Sequence, residues 1–436
     1  MPTGRGDSLM SRKIINTNPI SRIEGDASFI IELKDKRPED IKLRVFEAPR
    51  FFEGFLIGRT PQEAIDFTAR ICGICPVAYQ MSAVHAIEKL YGIEVSEEIK
   101  ALRRLLYCGE WIESHCLHIY LLQGPDFYNL TDAWSSKDYI DILKKGLSMK
   151  RVGNKLIEII GGRSIHPVSV KIGGFYNFPE KRQLTELLPE IERAYEESLK
   201  MIRWASSLHY PELEMEQTFL SLGDMGEYPM NYGLVISNSG LKIEMDQFLA
   251  LISEFQLPYS NALFSGIRDG EAIKPYIVGP IARLNLNYKY IPHEIKSAMK
   301  EAGIYLPLNS IYQSIIARTI EVSFAFYEAM RLIKDYEEPE NTPYEYKPIH
   351  GKTVWITEAP RGMLIHVYEL NEKGFIKEAR LIPPTSQNLY HMEYSLRLFF
   401  KKYSVEIPPE QIKRTCERIV RSYDPCISCS VHMVEI

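Results

Sequence analysis

Two Cys-x-x-Cys pairs near opposite ends of the 436-residue chain constrain this sequence more than any other feature. Cys72 and Cys75 form the first pair, and Cys426 and Cys429 form the second. Each pair places two sulfurs close enough to bind one metal ion, and thiolates are soft ligands suited to Zn, Ni, Cu(I) or Fe–S sites. The first pair also precedes a helix opened by Pro76, and the positive end of a helix favours thiolate over thiol.

Spacing alone leaves the kind of site open. Zinc ribbons usually place their two pairs roughly 15–20 residues apart, whereas about 350 residues separate the pairs here, which disfavours a structural zinc site without excluding it. A thioredoxin-like redox motif needs one pair beside a βαβ unit, and the sequence offers no such unit. Four thiolates could equally hold an Fe–S cluster.

Composition bounds the class of protein. The chain is 45% hydrophobic and 25% charged, which is typical of a globular protein and excludes a disordered or collagen-like chain. A net charge of -5 disfavours a nucleic-acid partner, whose binding proteins are usually basic. No apolar run approaches the roughly 18 residues of a membrane span, and the polar start lacks a signal peptide. We therefore expect a soluble, cytoplasmic protein.

Hydrophobic periodicity predicts a mainly α chain with small β-sheets, an α+β fold. A helix from 61 has Thr60 and Glu63 as a capping box, and a long helix over 96–123 should end at Gly124-Pro125. The predicted order is listed by residue range: a flexible N-terminus over 1–13, a β region over 14–60, a helical core over 61–206, a small β insertion over 207–245, a helical segment over 246–346, and a β region with a C-terminal helix (409–422) and metal motif over 347–432.

Other cysteines and histidines are given structural roles. Cys108, Cys116 and Cys416 are predicted to be buried core residues, the usual state of a free cysteine. His115 and His118, three residues apart on one helix, are predicted to be a hydrogen-bonded core feature.

Six motifs in the same order resemble those of the large, catalytic subunit of [NiFe]-hydrogenases. The two cysteine motifs read Arg-Ile-Cys72-Gly-Ile-Cys75 and Asp424-Pro-Cys426-Ile-Ser-Cys429-Ser-Val-His432. The internal matches are listed in chain order: Arg22-Ile-Glu24-Gly25, Glu53, Glu358-Ala-Pro360-Arg361-Gly362, and a loop Pro383-Pro-Thr385-Ser-Gln-Asn388. His166-Pro167, Gly173-Gly174 and Val278-Gly279 to Arg283 resemble further segments. The resemblance spans nearly the whole chain and implies the multihelical fold shared with the quinone-site subunit of complex I. Its compact length is most similar to the cytosolic, NADP-linked sulfhydrogenases of heat-loving archaea.

The resemblance implies a dinuclear metal site. Cys72, Cys75, Cys426 and Cys429 would bind nickel, and Cys75 and Cys429 would also bridge to an iron that carries CO and two cyanides. The reaction would be reversible heterolytic cleavage of H2, with Cys426 as the preferred base because a free guanidinium barely deprotonates. Arg361 would position H2, and Asp126 would orient Arg361.

Further roles also come from the resemblance. Glu24 would relay protons, although a turn carboxylate paired with Arg22 is the simpler interpretation of that residue alone. Pro360, Arg361 and Thr385 would surround the diatomic ligands, with Tyr79 and Asp424 behind the metal ligands. Tyr79 stands where many members have a histidine, so its hydrogen bond to a bridging sulfur departs from the family pattern.

A second metal and a removable tail are implied at the C-terminus. Glu53, the backbone carbonyl of Leu381 and His432 would bind Mg or Fe, since a hard cation suits oxygen ligands. Residues 433–436 would be a peptide that a maturation endopeptidase removes after nickel is inserted.

The chain has no third cysteine set or dinucleotide fingerprint to carry electrons onward. The resemblance therefore implies an Fe–S small subunit, then flavin- and NAD(P)-binding and further Fe–S subunits, in a heterotetramer. A large apolar face should be exposed for them. The alternatives are a deazaflavin- or heterodisulfide-linked hydrogenase, a complex I relative, which generally lacks the four cysteines, and a structural zinc protein.

Overall fold

The computed structural model describes residues 12–35, 37–213, 217–339, 347–402 and 408–431. Predictions for residues 1–11, for most of the loop over 337–346, for His432 and for the tail 433–436 concern residues outside this part of the chain.

The N-terminal β region is an antiparallel sheet in the order β1-β2-β3. Its strands are β1 (Arg12–Asn16), β2 (Ala27–Lys34) and β3 (Arg37–Val45). Alternate residues of β2 are buried, as expected for a sheet with one face on the core. The boundary predicted at residue 13 is wrong, because Arg12 and Lys13 already pair with β2.

Helices dominate the next part of the chain. They are α1 (Phe52–Leu56), α2 (Pro61–Thr68), α3 (Pro76–Tyr91), α4 (Glu97–Leu117), a π-helix (His118–Gln123), α5 (Gly124–Phe127), α6 (Lys137–Gly161) and, after the short strands β4 (Val170–Lys171) and β5 (Gly174–Phe175), α7 (Lys181–Ser206). The capping box at Thr60 and Glu63 is confirmed.

Gly124 does not end the long helix as predicted. The helix loosens into a π-helix at His118 and then continues through α5. A Cβ at Gly124 would lie 2.4 Å from the carbonyl oxygen of Ile119 and 2.1 Å from the hydroxyl of Tyr139. The glycine therefore serves close packing rather than helix termination, and Pro125 occupies an early position of α5, where proline is tolerated.

Two small sheets follow, of which the sequence predicted one. The predicted sheet contains β6 (Leu220–Gly223), β7 (Leu234–Ser237) and β8 (Lys242–Ile243). After α8 (Met245–Leu251), a second antiparallel sheet contains β9 (Ile252–Gln256), β10 (Leu263–Asp269) and β11 (Ala272–Lys274). The prediction that 246–346 is helical is therefore wrong up to residue 274, because short strands carry too little periodicity to be separated from helix.

The C-terminal half returns to helices and then forms the last sheet. Its elements are α9 (Pro280–Asn287), α10 (His293–Glu301), α11 (Ser314–Lys334), the antiparallel strands β12 (Gly351–Ala359), β13 (Gly362–Leu370) and β14 (Ile376–Ile382), then α12 (Pro384–Lys402), α13 (Pro409–Ser422) and α14 (Ile427–Ser430). The sequence analysis predicted these three strands and α13 but missed α12 and α14.

One continuous hydrophobic core includes residues from Ile20 to Val431. Helix α4 lies inside it, packed on α6 at Gly109 and Gly153, where an added Cβ would lie within 3 Å of the opposite helix. The remaining cysteines Cys108, Cys116 and Cys416 are buried, as predicted. Among the described helices, none combines the length and low charge needed to cross a bilayer.

Candidate metal centre

The two Cys-x-x-Cys pairs meet in the interior. The sulfurs of Cys72 and Cys426 lie 3.6 Å apart, and those of Cys426 and Cys429 lie 2.7 Å apart, beyond the roughly 2.05 Å of a disulfide. The sulfurs of Cys72, Cys426 and Cys429 are all within 4.8 Å of one another. Cys75 interacts with the sulfurs of Cys72 and Cys429. The fold therefore gathers four buried thiols into one cluster.

The thiols share charge within this cluster. Hydrogen bonds from Cys426, Cys429 and Cys75 lower the pKa of the Cys72 thiol well below its usual value. Burial, followed by the neighbouring sulfurs, raises the pKa of Cys426 well above its usual value. A bound cation would reverse the second effect, because a coordinated thiol loses its proton.

A buried carboxyl group orients the first pair. The backbone N–H groups of Ile74 and Cys75 donate to the sulfur of Cys72, each at 3.4 Å. Glu110 on α4 accepts hydrogen bonds from the N–H groups of Val77 at 2.6 Å and Ala78 at 3.0 Å. Glu110 thus caps α3 directly after Cys75. Sequence reasoning missed this residue, since nothing local in α4 indicates which helix end it meets.

The second pair is positioned by the end of α13. Arg318 on α11 donates to the carbonyl oxygens of Ser422 and Tyr423, both at 3.1 Å. His118 contacts the carbonyl oxygen of Arg421 at 2.6 Å, and His115 contacts Glu321 at 2.9 Å, which confirms that both histidines are hydrogen-bonded core residues. These contacts fix the turn that leads into Cys426.

Glu24 lies directly against the second pair. Its backbone forms a parallel bridge with Cys426, and its carbonyl oxygen accepts from the N–H of Ile427 at 3.0 Å. Its carboxylate accepts from the N–H of Ser428 at 3.1 Å. Arg22 pairs with Asp126 instead. The simpler interpretation of Glu24 as a turn carboxylate bound to Arg22 is therefore wrong.

Gly25 permits this close approach, and its replacement by alanine is expected to destabilise the chain. Its φ is +82°, and a Cβ there would lie 2.7 Å from the Cβ of Ile427 and 2.9 Å from the N atom of Ser428. Strain and overpacking should together cost about 2–5 kcal/mol of unfolding free energy. Gly58→Ala is the matched control, since φ is +79° and nothing lies within 4 Å of its added Cβ. Equal shifts in the unfolding temperature of the two variants would contradict the packing argument.

Arg361 projects toward the cysteine cluster from the β12–β13 turn. Its Nε donates to the carbonyl oxygen of Asp424 at 2.7 Å, and its Nη2 donates to the Asp424 carboxylate at 3.1 Å. Its buried Nη1 has no hydrogen-bond partner among the described residues. Burial acts to lower the pKa of Arg361, but Asp424 and the sulfurs of Cys426, Cys75 and Cys72 raise it above its usual value. Arg361 therefore stays protonated.

Asp126 is not the partner of Arg361, contrary to prediction. It accepts two hydrogen bonds from Arg421, at 2.8 and 2.9 Å, and also pairs with Arg22. Asp424 takes the predicted role because its left-handed backbone, with φ of 57°, places it beside Arg361. The sequence position of Asp126 next to Gly124-Pro125 does not reveal which guanidinium is nearest.

A buried arginine that sequence reasoning did not single out supports the Arg361 turn. Arg283 donates to the carbonyl oxygens of Ala359 at 2.7 Å and Pro360 at 2.9 Å, and it is paired with Glu321 and Glu358. It was noted only as the end of a family-like segment.

The remaining predicted residues lie around the same cluster. Residues 384–388, predicted as a loop, form the first turn of α12, where Thr385 Oγ1 accepts from the N–H of Cys426 at 3.0 Å. Tyr79 is buried and interacts with the sulfur of Cys429; burial and the nearby sulfurs raise its pKa well above the usual value, so its hydroxyl remains a donor.

Glu53 and Leu381 are neighbours, as the predicted second metal site requires. The N–H of Leu381 donates to Glu53 Oε1 at 2.6 Å. Burial raises the pKa of Glu53 to about 7. The third predicted ligand, His432, lies outside the described residues.

The donor set fits a soft metal ion. Four buried sulfurs converge, and the buried atoms Nη1 of Arg361 and Oδ2 of Asp424 lack hydrogen-bond partners among the described residues. Buried polar atoms are normally satisfied, so these two atoms point to a polar group that would bind beside the sulfurs. Geometry alone does not choose between nickel–iron and zinc.

Comparison with known proteins makes that choice. Residues 50–145 and 272–432 match the family model described as nickel-dependent hydrogenase. The alpha chain of sulfhydrogenase 2 from Pyrococcus furiosus is 34% identical over 97% of this chain and 100% of its own length. The alpha chain of sulfhydrogenase 1 from the same organism is 32% identical over 97% of this chain and 98% of its own length.

Solved structures share the fold. The crystal structure of an NAD+-reducing [NiFe]-hydrogenase in the H2-reduced state superposes with a TM-score of 0.84 and 24% identity, over 97% of this chain and 100% of that one. The resemblance noted from the motifs is thus confirmed across nearly the whole length. The chain belongs to the nickel-dependent hydrogenase family and is a hydrogenase large subunit.

Proposed function

We propose that this chain is the catalytic subunit of a [NiFe]-hydrogenase and that its four-cysteine cluster is the site of reversible H2 cleavage. The observation that carries the proposal is the meeting of Cys72, Cys75, Cys426 and Cys429 in one buried cluster beside Arg361. Large subunits of this family bind nickel and iron. A structural zinc protein would have no use for a buried arginine with a free Nη1 aimed at its ligands.

The bound group would be nickel with an iron that carries CO and two cyanides, and it would supply redox chemistry and an open coordination position for H2. We assign Cys75 and Cys429 as bridging ligands and Cys72 and Cys426 as terminal nickel ligands. Pro360, Arg361 and Thr385 would surround the diatomic ligands. The carbonyl of Pro360 is already held by Arg283, and the oxygen of Thr385 accepts from Cys426, which leaves the threonine proton free to donate.

The sulfur of Cys426 is the proposed base. Arg361 is the competing candidate, but Asp424 and the sulfurs hold its pKa above the usual value, so it would be a poor proton acceptor. Arg361 is better suited to positioning H2 and donating hydrogen bonds. From Cys426 the proton would pass to Glu24, which is bridged to Cys426 along the backbone.

Glu24→Gln is expected to lower H2 turnover by about 10²–10⁴-fold, the usual range for losing general acid–base catalysis. Nickel content should be unchanged, because Glu24 contacts the ligand loop and is not itself a ligand. The measurement is exchange of D2 with water protons alongside metal analysis. Glu47→Gln is the control, since Glu47 lies beside Gly25 and bonds only the N–H of Asp26 among the described contacts. An active Glu24→Gln enzyme would remove Glu24 from the proton route.

A second metal site completes the proposal. Glu53, the carbonyl of Leu381 and His432 would bind Mg or Fe, and the Glu53–Leu381 contact supports this juxtaposition. Residues 433–436 would be removed by a maturation endopeptidase.

The natural assembly is proposed to include an Fe–S small subunit, with flavin- and NAD(P)-binding and further Fe–S subunits in a heterotetramer. The relatives named above are alpha subunits, which implies partner chains in those proteins. Large apolar side chains around α1 support a partner here: Phe51, Phe55 and Ile57 are 43%, 58% and 52% exposed. NADP is the proposed electron acceptor, by similarity to the sulfhydrogenases.

A different acceptor is the alternative. A large chain of the vhc F420-non-reducing hydrogenase from Methanococcus voltae is 28% identical over 96% of this chain, which keeps heterodisulfide- or deazaflavin-linked electron transfer in view. H2-dependent reduction of NADP, NAD and a deazaflavin by the purified complex would separate these acceptors.

Native mass spectrometry of the chain from its own host tests the proposal. We expect a mass that lacks residues 433–436 and includes Ni, Fe, CO and two cyanides. A full-length chain that carries only zinc would overturn the hydrogenase assignment. Iron without nickel on a full-length chain would identify a maturation intermediate and keep the assignment.

A further inference from the structure

A small cavity lined with arginines lies on the side of the Arg22 turn, beyond the metal centre. Its volume is about 110 Å³, room for a few water-sized groups. It is enclosed by the Arg22 turn, the residues that follow α5 and one face of α13. The lining residues used below are Arg22, Asp126, Arg414, Glu417, Arg418 and Arg421.

The positive charges in this cavity outnumber the negative ones. Asp126 is shared by Arg22 and Arg421. Glu417 lies 3.5 Å from Arg421 and 3.7 Å from Lys413. Both carboxylates are therefore already engaged by other cations.

Arg414 and Arg418 are left over. Neither guanidinium has a salt bridge to a carboxylate in the described part of the chain, and the buried Nε of Arg418 has no hydrogen-bond partner there. The guanidinium of Arg418 lies 5.7 Å from the ring centre of Phe127, so its plane is held by an aromatic face. The Nε of Arg22 is also buried without a partner among the described residues.

Burial of this charge is unfavourable without a counter-ion. Burial is the main cause that lowers the pKa of Arg22, and Arg421 adds repulsion. Arg22 and Asn129, both in the cavity wall, hold positive φ angles of 59° and 54°, a conformation that non-glycine residues adopt mostly where the surroundings enforce it.

We propose that this cavity binds a small oxyanion of the phosphate class, with Arg418 and Arg414 as its principal donors. Arginine matches the paired oxygens of such an anion with two parallel hydrogen bonds. The cavity is too small for a nucleotide and suits a free ion. Because Arg22 is two residues from Glu24 and Arg421 is three residues from Asp424, the anion would stabilise the contact between the two segments that support the cysteine cluster.

The test uses the intact complex and inorganic phosphate. Equilibrium dialysis with labelled phosphate at constant ionic strength should show saturable binding. In the Arg414→Gln/Arg418→Gln complex, the number of phosphates bound should fall by one per chain, or the affinity of that site should fall by roughly 10- to 100-fold, as expected for losing charge-assisted hydrogen bonds. Nickel content serves as the check that the variant is assembled, and Arg418→Gln alone is the milder variant if the double one is not.

Arg182→Gln/Arg203→Gln is the matched control. It removes the same charge from exposed guanidinium groups of α7 that pair with Glu186 and Glu301, and it should bind phosphate like the unsubstituted complex. Equal phosphate binding by the cavity variant and the unsubstituted complex would overturn the proposal. Lack of saturable binding by the unsubstituted complex would also overturn it, as would follow if a carboxylate of a partner chain filled the cavity. Neither result would affect the hydrogenase assignment, because that assignment rests on the cysteine cluster and the family match.

Discussion

Replacing Cys426 with serine is expected to lower H2 oxidation by more than about 100-fold and to deplete the chain of nickel. The reason is the position of Cys426: its sulfur is the one that approaches both Cys72 and Cys429, and it is also the proposed base. Loss of residues behind metal ligands alone costs about 10- to 100-fold, so loss of a ligand should cost more. The measurement is H2-dependent dye reduction together with elemental analysis.

Cys416→Ser is the matched control for this experiment. Cys416 is a fully buried cysteine of α13, ten residues earlier, outside the sulfur cluster. It should keep its nickel and its turnover, with at most a moderate fall in stability. A Cys426→Ser chain that keeps nickel and activity would show that the cluster is not the catalytic metal site.

Replacing Arg361 with methionine should reduce both activity and stability. The Arg361–Asp424 pair is buried, with side chains 3% and 1% exposed. Removing one partner of a buried pair costs about 3–5 kcal/mol, because the other is left without its counter-charge. Arg318 also acts on Asp424, so we expect the lower end of this range. The measurements are the unfolding temperature and the rate of H2-dependent dye reduction.

The double variant Arg361→Met/Asp424→Asn separates the two effects. Asparagine tolerates the left-handed backbone at position 424 and carries no charge. We expect it to recover most of the unfolding temperature while H2 turnover stays low. Recovery of turnover in the double variant would reduce Arg361 to a structural role, and an unchanged unfolding temperature in Arg361→Met would contradict the buried pair.

Local signals in the sequence predicted elements well where one segment carries the whole signal. The capping box at Thr60 and Glu63, the proline that opens α3 and the alternation in β2 were all correct. They depend on backbone hydrogen bonds and burial within a few residues. The sheet β9–β11 and helix α12 were missed, because short or mixed apolar patterns do not separate helix from strand.

The sequence by itself determined the donor set and the family. Two Cys-x-x-Cys pairs, Glu24, Glu53 and Arg361 are readable in order along the chain, and the family match confirmed what their order implied. Their chemistry follows from residue type, which folding does not change.

Only the tertiary structure decided which residues meet. Asp424 rather than Asp126 pairs with Arg361, Glu110 caps the helix after Cys75, and Arg283 holds the turn at Pro360. These contacts join segments about 30 to nearly 80 residues apart in the chain. Such contacts are chosen by packing, where a buried charge or N–H group must be satisfied by whichever partner the fold brings within reach.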